Sequence, residues 1–423
     1  MVRQILPIGA LLLGSAFLLF AGGINGLILP VRGSAEGFSA FSLGLLGTGW
    51  AIGYVSGCLY TPRLVGRVGH IRSFSVMAAF ASVAILASLL LLNPVAWIIL
   101  RALSGFCFAG AAMIVESWLN ERSEPTTRGR IFGAYTMINL GASTGGQLML
   151  TMGDPAGFLF FVLPAMFYCL ALVPTAVSSS ASPQPLYSVG LDIGTLWRNS
   201  PVAVFAVFMV GLSNGAFGTL SPVYADRVGL LVTGVALFAS LPVLAGAVAQ
   251  IPVGILSDKM DRRLLLVLLA ALAMVADLAF IILRPEDRAT NLALSALFGA
   301  SIFAMYPVIV AHASDHAADG NFIKISGGLL MVFGLGSIIG PFIAGAAMGQ
   351  LGATGLFMTT LVAHGLTALY ALWRMRQRDA VATEDKTDFK FAPMPRNSTP
   401  ETIAMSVDED PPQDDAEGLA GTP

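Results

Sequence analysis

Arg101 and Glu116 stand 15 residues apart in one long apolar run, the costliest place for charged side chains in this sequence. Inserting a central arginine into a bilayer costs roughly 2.5–3.5 kcal/mol, so a retained one asks for a use. On a helix the two would sit about 22 Å apart along the axis and roughly 60° apart around it, too far to pair but near one face. The chemistry open to Arg101 is proton handling or anion binding. Glu116 is a coupling candidate as well, and a structural bond to the next loop through Arg128 or Arg130 is the competing use.

Two amides recur in matched settings, Gly22-Gly23-Ile24-Asn25-Gly26 and Gly211-Leu212-Ser213-Asn214-Gly215. An amide in hydrocarbon needs hydrogen-bond partners, so Asn25 and Asn214 must face another helix or a wet, solute-bearing cavity. Gln250 and Tyr306 are further cavity candidates, with Gln147, Trp50 and Tyr54 behind them. Asp277 lies in an apolar run with no charge partner evident and reads as a buried structural acid. His312 and His316 read as interfacial.

Several function classes fall away. The chain has no Gly-Lys dipeptide, hence no phosphate-binding Walker loop and no ATP-driven pump. Fragments such as Ala102-Leu103-Ser104-Gly105 and His312-x-x-Asp315 have no identifiable catalytic partners, so no enzyme, cofactor or metal site is expected. Cys58, Cys107 and Cys169 all lie in apolar runs and imply no disulfide framework. Basic residues form no nucleic-acid-binding patch.

The elements that position these groups follow from composition. Of 423 residues, 56% are hydrophobic and 11% charged, against about 25% charged in a soluble globule. A membrane helix needs about 20 apolar residues, and twelve such runs are present, at about 5–29, 42–61, 73–92, 95–118, 131–152, 156–176, 201–223, 233–256, 264–283, 290–312, 325–348 and 353–373. The expected fold is an all-α membrane protein of twelve helices in two bundles, residues 1–177 and 201–376. Residues 178–200, rich in Ser and Pro, read as a linker. The segment from Asp379 onward holds 11 of the 25 acids but only 3 of the 23 bases, so residues 377–423 are expected to be a disordered acidic tail. With the N-terminus inside, 15 Lys and Arg fall on inner segments and 4 on outer loops. That bias puts both termini in the cytoplasm.

The Gly-x-x-Asn-Gly motif repeats at an offset of 189, and Gly141-x-x-x-Gly145 returns as Gly336-x-x-x-Gly340 at an offset of 195. The halves are therefore read as one design used twice. After the eighth run comes Gly254-Ile255-Leu256-Ser257-Asp258-Lys259-Met260-Asp261-Arg262-Arg263, which resembles the G-x-L-[SA]-D-[RK]-x-G-R-R loop of the major facilitator superfamily with Asp261 in place of its second glycine. The loop after the second run keeps Arg63, Arg67 and Arg72 but has Gly66 where that family places its aspartate. Arg101-x-x-x-Gly105-x-x-x-Ala109-Gly110 resembles the arginine signature of proton-coupled members, and Gly340-Pro341 resembles the Gly-Pro signature of drug antiporters. Val115-Glu116-Ser117 and Tyr306-Pro307-Val308 are similar to the YcaD-like bacterial branch.

The resemblance implies secondary active transport of a small solute by alternating access, with a proton as coupling ion, by a monomer in a bacterial inner membrane. It implies that runs one, four, seven and ten line a central cavity. Gly336, Gly340 and Pro341 would bend the eleventh run. Asp258 would accept hydrogen bonds from the amino end of a neighbouring helix, with Lys259, Arg262, Arg263 and, in the first half, Arg67 as the basic part of an inner gate. Arg262 and Arg263 are expected at the lipid headgroups. The alternative is a non-transporting sensor or assembly protein with the same fold, favoured by the missing aspartate at Gly66.

Overall fold

The computed structural model describes residues 2–123, 125–177, 192–317, 322–387, 389–390 and 395–405. Its helices are α1 (Val2–Ala35), α2 (Ala40–Val68), α3 (His70–Leu90), α4 (Pro94–Glu121), α5 (Pro125–Met149), α6 (Leu159–Val177), the short α7 (Ile193–Asn199), α8 (Pro201–Arg227), α9 (Val232–Lys259), α10 (Arg262–Leu283), α11 (Arg288–Ser314), α12 (Phe322–Leu351), α13 (Gly355–Met375) and α14 (Pro400–Met405). Among the described residues there is no strand. Helix starts carry the expected caps. Asn93 accepts from Val95 and Ala96 ahead of Pro94, and Ser200 accepts from Ala203 ahead of Pro201. Between α2 and α3 the chain turns at Gly69, whose φ of 85° favours glycine.

Ten of these helices are long and apolar enough to cross a membrane, and α6 supplies a shorter apolar stretch, Leu159–Pro174. With α5, whose polar residues face inward, they make the twelve spans expected. Several helices run past the apolar segments because their polar ends continue beyond the hydrocarbon. Most of the expected linker, residues 178–191, lies outside the described residues, and its end forms α7.

In the first half α1 packs on α5 and α6, α2 on α4, and α3 on α4 and α6; in the second, α8 packs on α12 and α13, α9 on α11, and α10 on α11 and α13. Small residues set the tightest seams. A methyl group at Gly336 or Gly340 would strike the carbonyl oxygens of Phe208 and Leu212 on α8, so both glycines serve helix approach. The first-half counterpart is shifted by one residue from the expected motif. Gly141 meets nothing within 4 Å and Gly145 only the Phe20 ring at 3.5 Å, whereas Gly146 and Gly23 abut the carbonyls of Phe20 and Ser143. Pro341 lies inside α12 and sets its carbonyl against Gly44 of α2, a contact between halves.

At one end the halves are joined. Ser34 of α1 donates to Asp226 of α8 at 2.7 Å, and Thr48 of α2 to the Ile338 carbonyl of α12 at 2.8 Å. The opposite mouth holds the tail. Residues 377–423 were expected to be disordered, and the described part departs from that. Ser398, Thr399, Glu401 and Met405 are buried, and α14 touches α4, α5 and α12. The acidic average hides a local difference, because six of the eleven acids lie beyond Met405, outside the described residues. Residues 395–405 carry hydroxyls and apolar groups that find partners inside the bundle, and their burial offsets the ordering cost.

Candidate functional site

Between the halves lies a cavity of about 780 Å³ whose walls include Asn25, Trp50, Arg101, Ser104, Glu116, Asn214 and Gln250. Helices α1, α4 and α8 contribute as the resemblance implied, α11 contributes Phe303, and α5 and α9 supply long stretches of wall. Tyr306 is not part of it. Its ring packs on Phe333 at 5.6 Å.

Arg101 is 5% exposed and holds its guanidinium 6.0 Å from the Trp50 ring centre. Among the described residues no carboxylate forms an ion pair with it. A cation–π contact without a counter-ion leaves this charge available to an anionic group in the cavity. Asn25 donates to the Ser104 hydroxyl at 3.1 Å and the Tyr168 hydroxyl at 3.5 Å, while its own carbonyl oxygen has no partner among the described residues. Asn214 lines the same cavity, and neither of its amide atoms has a partner among the described residues. A buried amide in that condition is a site for solute or water.

Glu116 is fully buried and makes no bond to Arg128 or Arg130, contrary to the structural use weighed for it. It accepts from Tyr135 at 2.6 Å, from Thr402 at 2.7 Å and from Thr399. α4 points it across the mouth toward α5 and the tail, away from the following loop. The tail also sends Arg396 to the face of Trp50, 4.9 Å from its centre, and toward Thr219 at 3.5 Å. The Tyr54 hydroxyl donates to the Ser398 carbonyl at 3.0 Å.

The signature loop departs from its expected use. Asp258 accepts from Arg262 at 3.4 Å and from the Phe389 backbone at 3.2 Å, and no helix amino end donates to it among the described residues. Arg262 and Arg263 are 2% and 5% exposed, not at the headgroups. Arg262 pairs with Asp315 at 2.9 Å and also binds the Thr387 carbonyl; Arg263 pairs with Asp261 at 2.9 Å and donates to the Arg378 carbonyl at 2.8 Å. Fixed carboxylates and carbonyls hold planar guanidinium groups in defined geometry, and here that holds the tail. Arg67 and Lys259 are exposed.

A polar chain missed from sequence crosses the second half. Asp277, expected to lack a charge partner, sits 2.8 Å from His364 Nδ1 and accepts from Thr360 at 2.6 Å, and His364 Nε2 meets the Ser213 hydroxyl at 2.9 Å. The partner lies 87 residues away on α13, so no local spacing announced it. Removing one member of a buried pair strands the other, at a cost of about 3–5 kcal/mol. His364→Ala is therefore expected to lower the melting temperature of the purified protein, and His364→Gln, which keeps a donor, to lower it less. Equal melting of His364→Ala and wild type would remove this pair from the account of stability.

The sequence description Major Facilitator Superfamily matches residues 11–321 and 203–403. The Uncharacterized MFS-type transporter YcaD of Salmonella arizonae is 24% identical over 375 residues, covering 88% of this chain and 95% of its own. The Uncharacterized MFS-type transporter Ent638_1421 of Enterobacter is 24% identical over 383 residues, covering 88% and 96%. Among solved structures, nucleoside transporter NupG superposes with a TM-score of 0.71 at 14% identity over 88% of this chain and 100% of that one. The D-xylose-proton symporter superposes with a TM-score of 0.64 at 17% identity over 91% and 99%.

Proposed function

The chain belongs to the major facilitator superfamily, and we propose that its cavity carries one small solute at a time across the bilayer by alternating access, with a proton as the coupling ion. The observation that carries this reading is the cavity itself, lined by unpaired polar groups, joined shut at one end and facing the other mouth. Two similar halves can rock about such a site and expose it to either side in turn. Arg101 supplies a cation for an anionic group, Asn25 and Asn214 supply amides, and Glu116 accepts hydroxyl or ammonium donors. A polar solute with hydroxyl groups suits this set, and D-xylose, named for one carrier of the same fold, is of that kind.

The membrane in this reading is the bacterial cytoplasmic membrane, with both termini and the tail mouth in the cytoplasm, which the 15-to-4 basic bias supports. A cavity enclosed by a single chain supports a monomer as the working unit. The tail in the cavity favours one second reading, a non-transporting sensor. A thermal-shift screen against metabolites and drugs, followed by flux of each hit in proteoliposomes, separates the two. Saturating a site at 100 times Kd adds about 2.7 kcal/mol of stability, which a melting scan detects. A hit that also crosses faster than in protein-free liposomes supports transport; hits that stabilise but never cross support the sensor.

A further inference from the structure

We propose that residues 395–405 are a tethered plug, seated in the solute cavity through Glu116 and Trp50, that must withdraw before a solute can use either group.

The plug touches both halves. Thr399 and Thr402 bind Glu116 of α4, Ser398 binds Tyr54 of α2, and Arg396 reaches Thr219 of α8 from the face of Trp50. A segment bonded across the gap holds the halves apart at that mouth and opposes the rocking that would close it. Its root is fixed on the second half. The Thr387 backbone and hydroxyl both donate to Asp315, at 3.0 and 2.9 Å, the Phe389 backbone to Asp258, and Lys386 to the Met260 carbonyl at 2.8 Å. The charged loop after α9 thus serves as the clamp of the tail.

The seat is built to be reversible. Arg396 brings a second guanidinium onto the Trp50 ring that already faces Arg101, 4.9 and 6.0 Å from its centre, and like charges on one ring oppose each other. Glu116 pulls the other way. A fully buried carboxylate cannot be left unpaired cheaply, and Tyr135 alone would leave one of its oxygens without a donor. The tail hydroxyls fill that need, so whatever displaces the tail must bring hydroxyl or ammonium donors of its own. The inference rests on the cavity being the solute path, and this matching of donors links the two.

The test uses the full chain, freed of its three cysteines, in detergent, where both mouths are open to reagent. One version carries Ser398→Cys, which is buried, and a control carries Ala380→Cys, which is exposed. Labelling with a small methanethiosulfonate should be at least about tenfold slower at position 398, since only the withdrawn fraction reacts. Adding Thr399→Val and Thr402→Val, which remove the two tail donors and leave every membrane helix intact, should bring position 398 to within about twofold of the control. Equal labelling of the two positions without those changes overturns the plug, and so does slow labelling that persists with them. Flux of a solute found by the screen should rise severalfold in the Thr399→Val, Thr402→Val chain, and unchanged flux overturns the competition. If no solute crosses with either chain, transport fails while labelling still decides the plug.

Discussion

Arg101→Ala is expected to reduce both solute counterflow and proton-driven accumulation to the level of protein-free liposomes, with expression and folded yield unchanged. Folding should survive because Arg101 is held by a ring face and, among the described residues, by no carboxylate, so truncation strands no buried partner there. Transport should fail because Arg101 is the cation that a membrane helix, rather than the tail, brings to the cavity wall, and a charge taken into a low-dielectric pocket acts more strongly than one in water. Arg101→Lys keeps the charge but loses the planar group that stacks on Trp50, so it should retain part of the flux. Loss of accumulation alone assigns Arg101 to coupling, and loss of counterflow as well assigns it to solute binding or to the conformational change. Normal behaviour in both assays would reduce Arg101 to a snorkelling side chain.

Much of the architecture was legible because a bilayer imposes its own pattern. Apolar length gave the spans, and the Gly-x-x-Asn-Gly repeat gave the halves, since Asn25 and Asn214 do line one cavity. Arg101 stands out for the same reason, a charge whose insertion cost asks for a use, and it lines that cavity. Contacts that depend on tertiary approach were not. Gly146 and Gly23 form the first-half seam in place of the Gly141 and Gly145 motif, because which face of a helix meets its neighbour is decided by packing within a turn. Asp277 and His364 meet across 87 residues, with nothing local to join them. Tyr306 reads from sequence as a cavity candidate, yet its helix turns it onto Phe333.

The tail is the largest departure, and it changes the reading of Glu116 and of the charged loop together. Composition averaged over residues 377–423 describes a solvated acidic segment. The part that enters the bundle is short, carries few of those acids and brings hydroxyls to a carboxylate that needs donors. Averages cannot show that kind of complementarity, because it depends on what the other end of the chain leaves unpaired.

Alternating access makes one demand that a sensor with the same fold does not make: the joined end must open in each cycle. Ser34 and Asp226 are the side chains that meet there, 2.7 Å apart, one from each half. Cysteines at both positions, in a chain freed of its native cysteines, can be joined by oxidation or by a short bifunctional thiosulfonate. The measurement is flux of a screened solute in proteoliposomes before joining, after joining and after reduction. The account predicts full loss of flux on joining and its return on reduction, because a tether at that end forbids the rocking that exposes the cavity to the other side. Undiminished flux through the joined protein would contradict it.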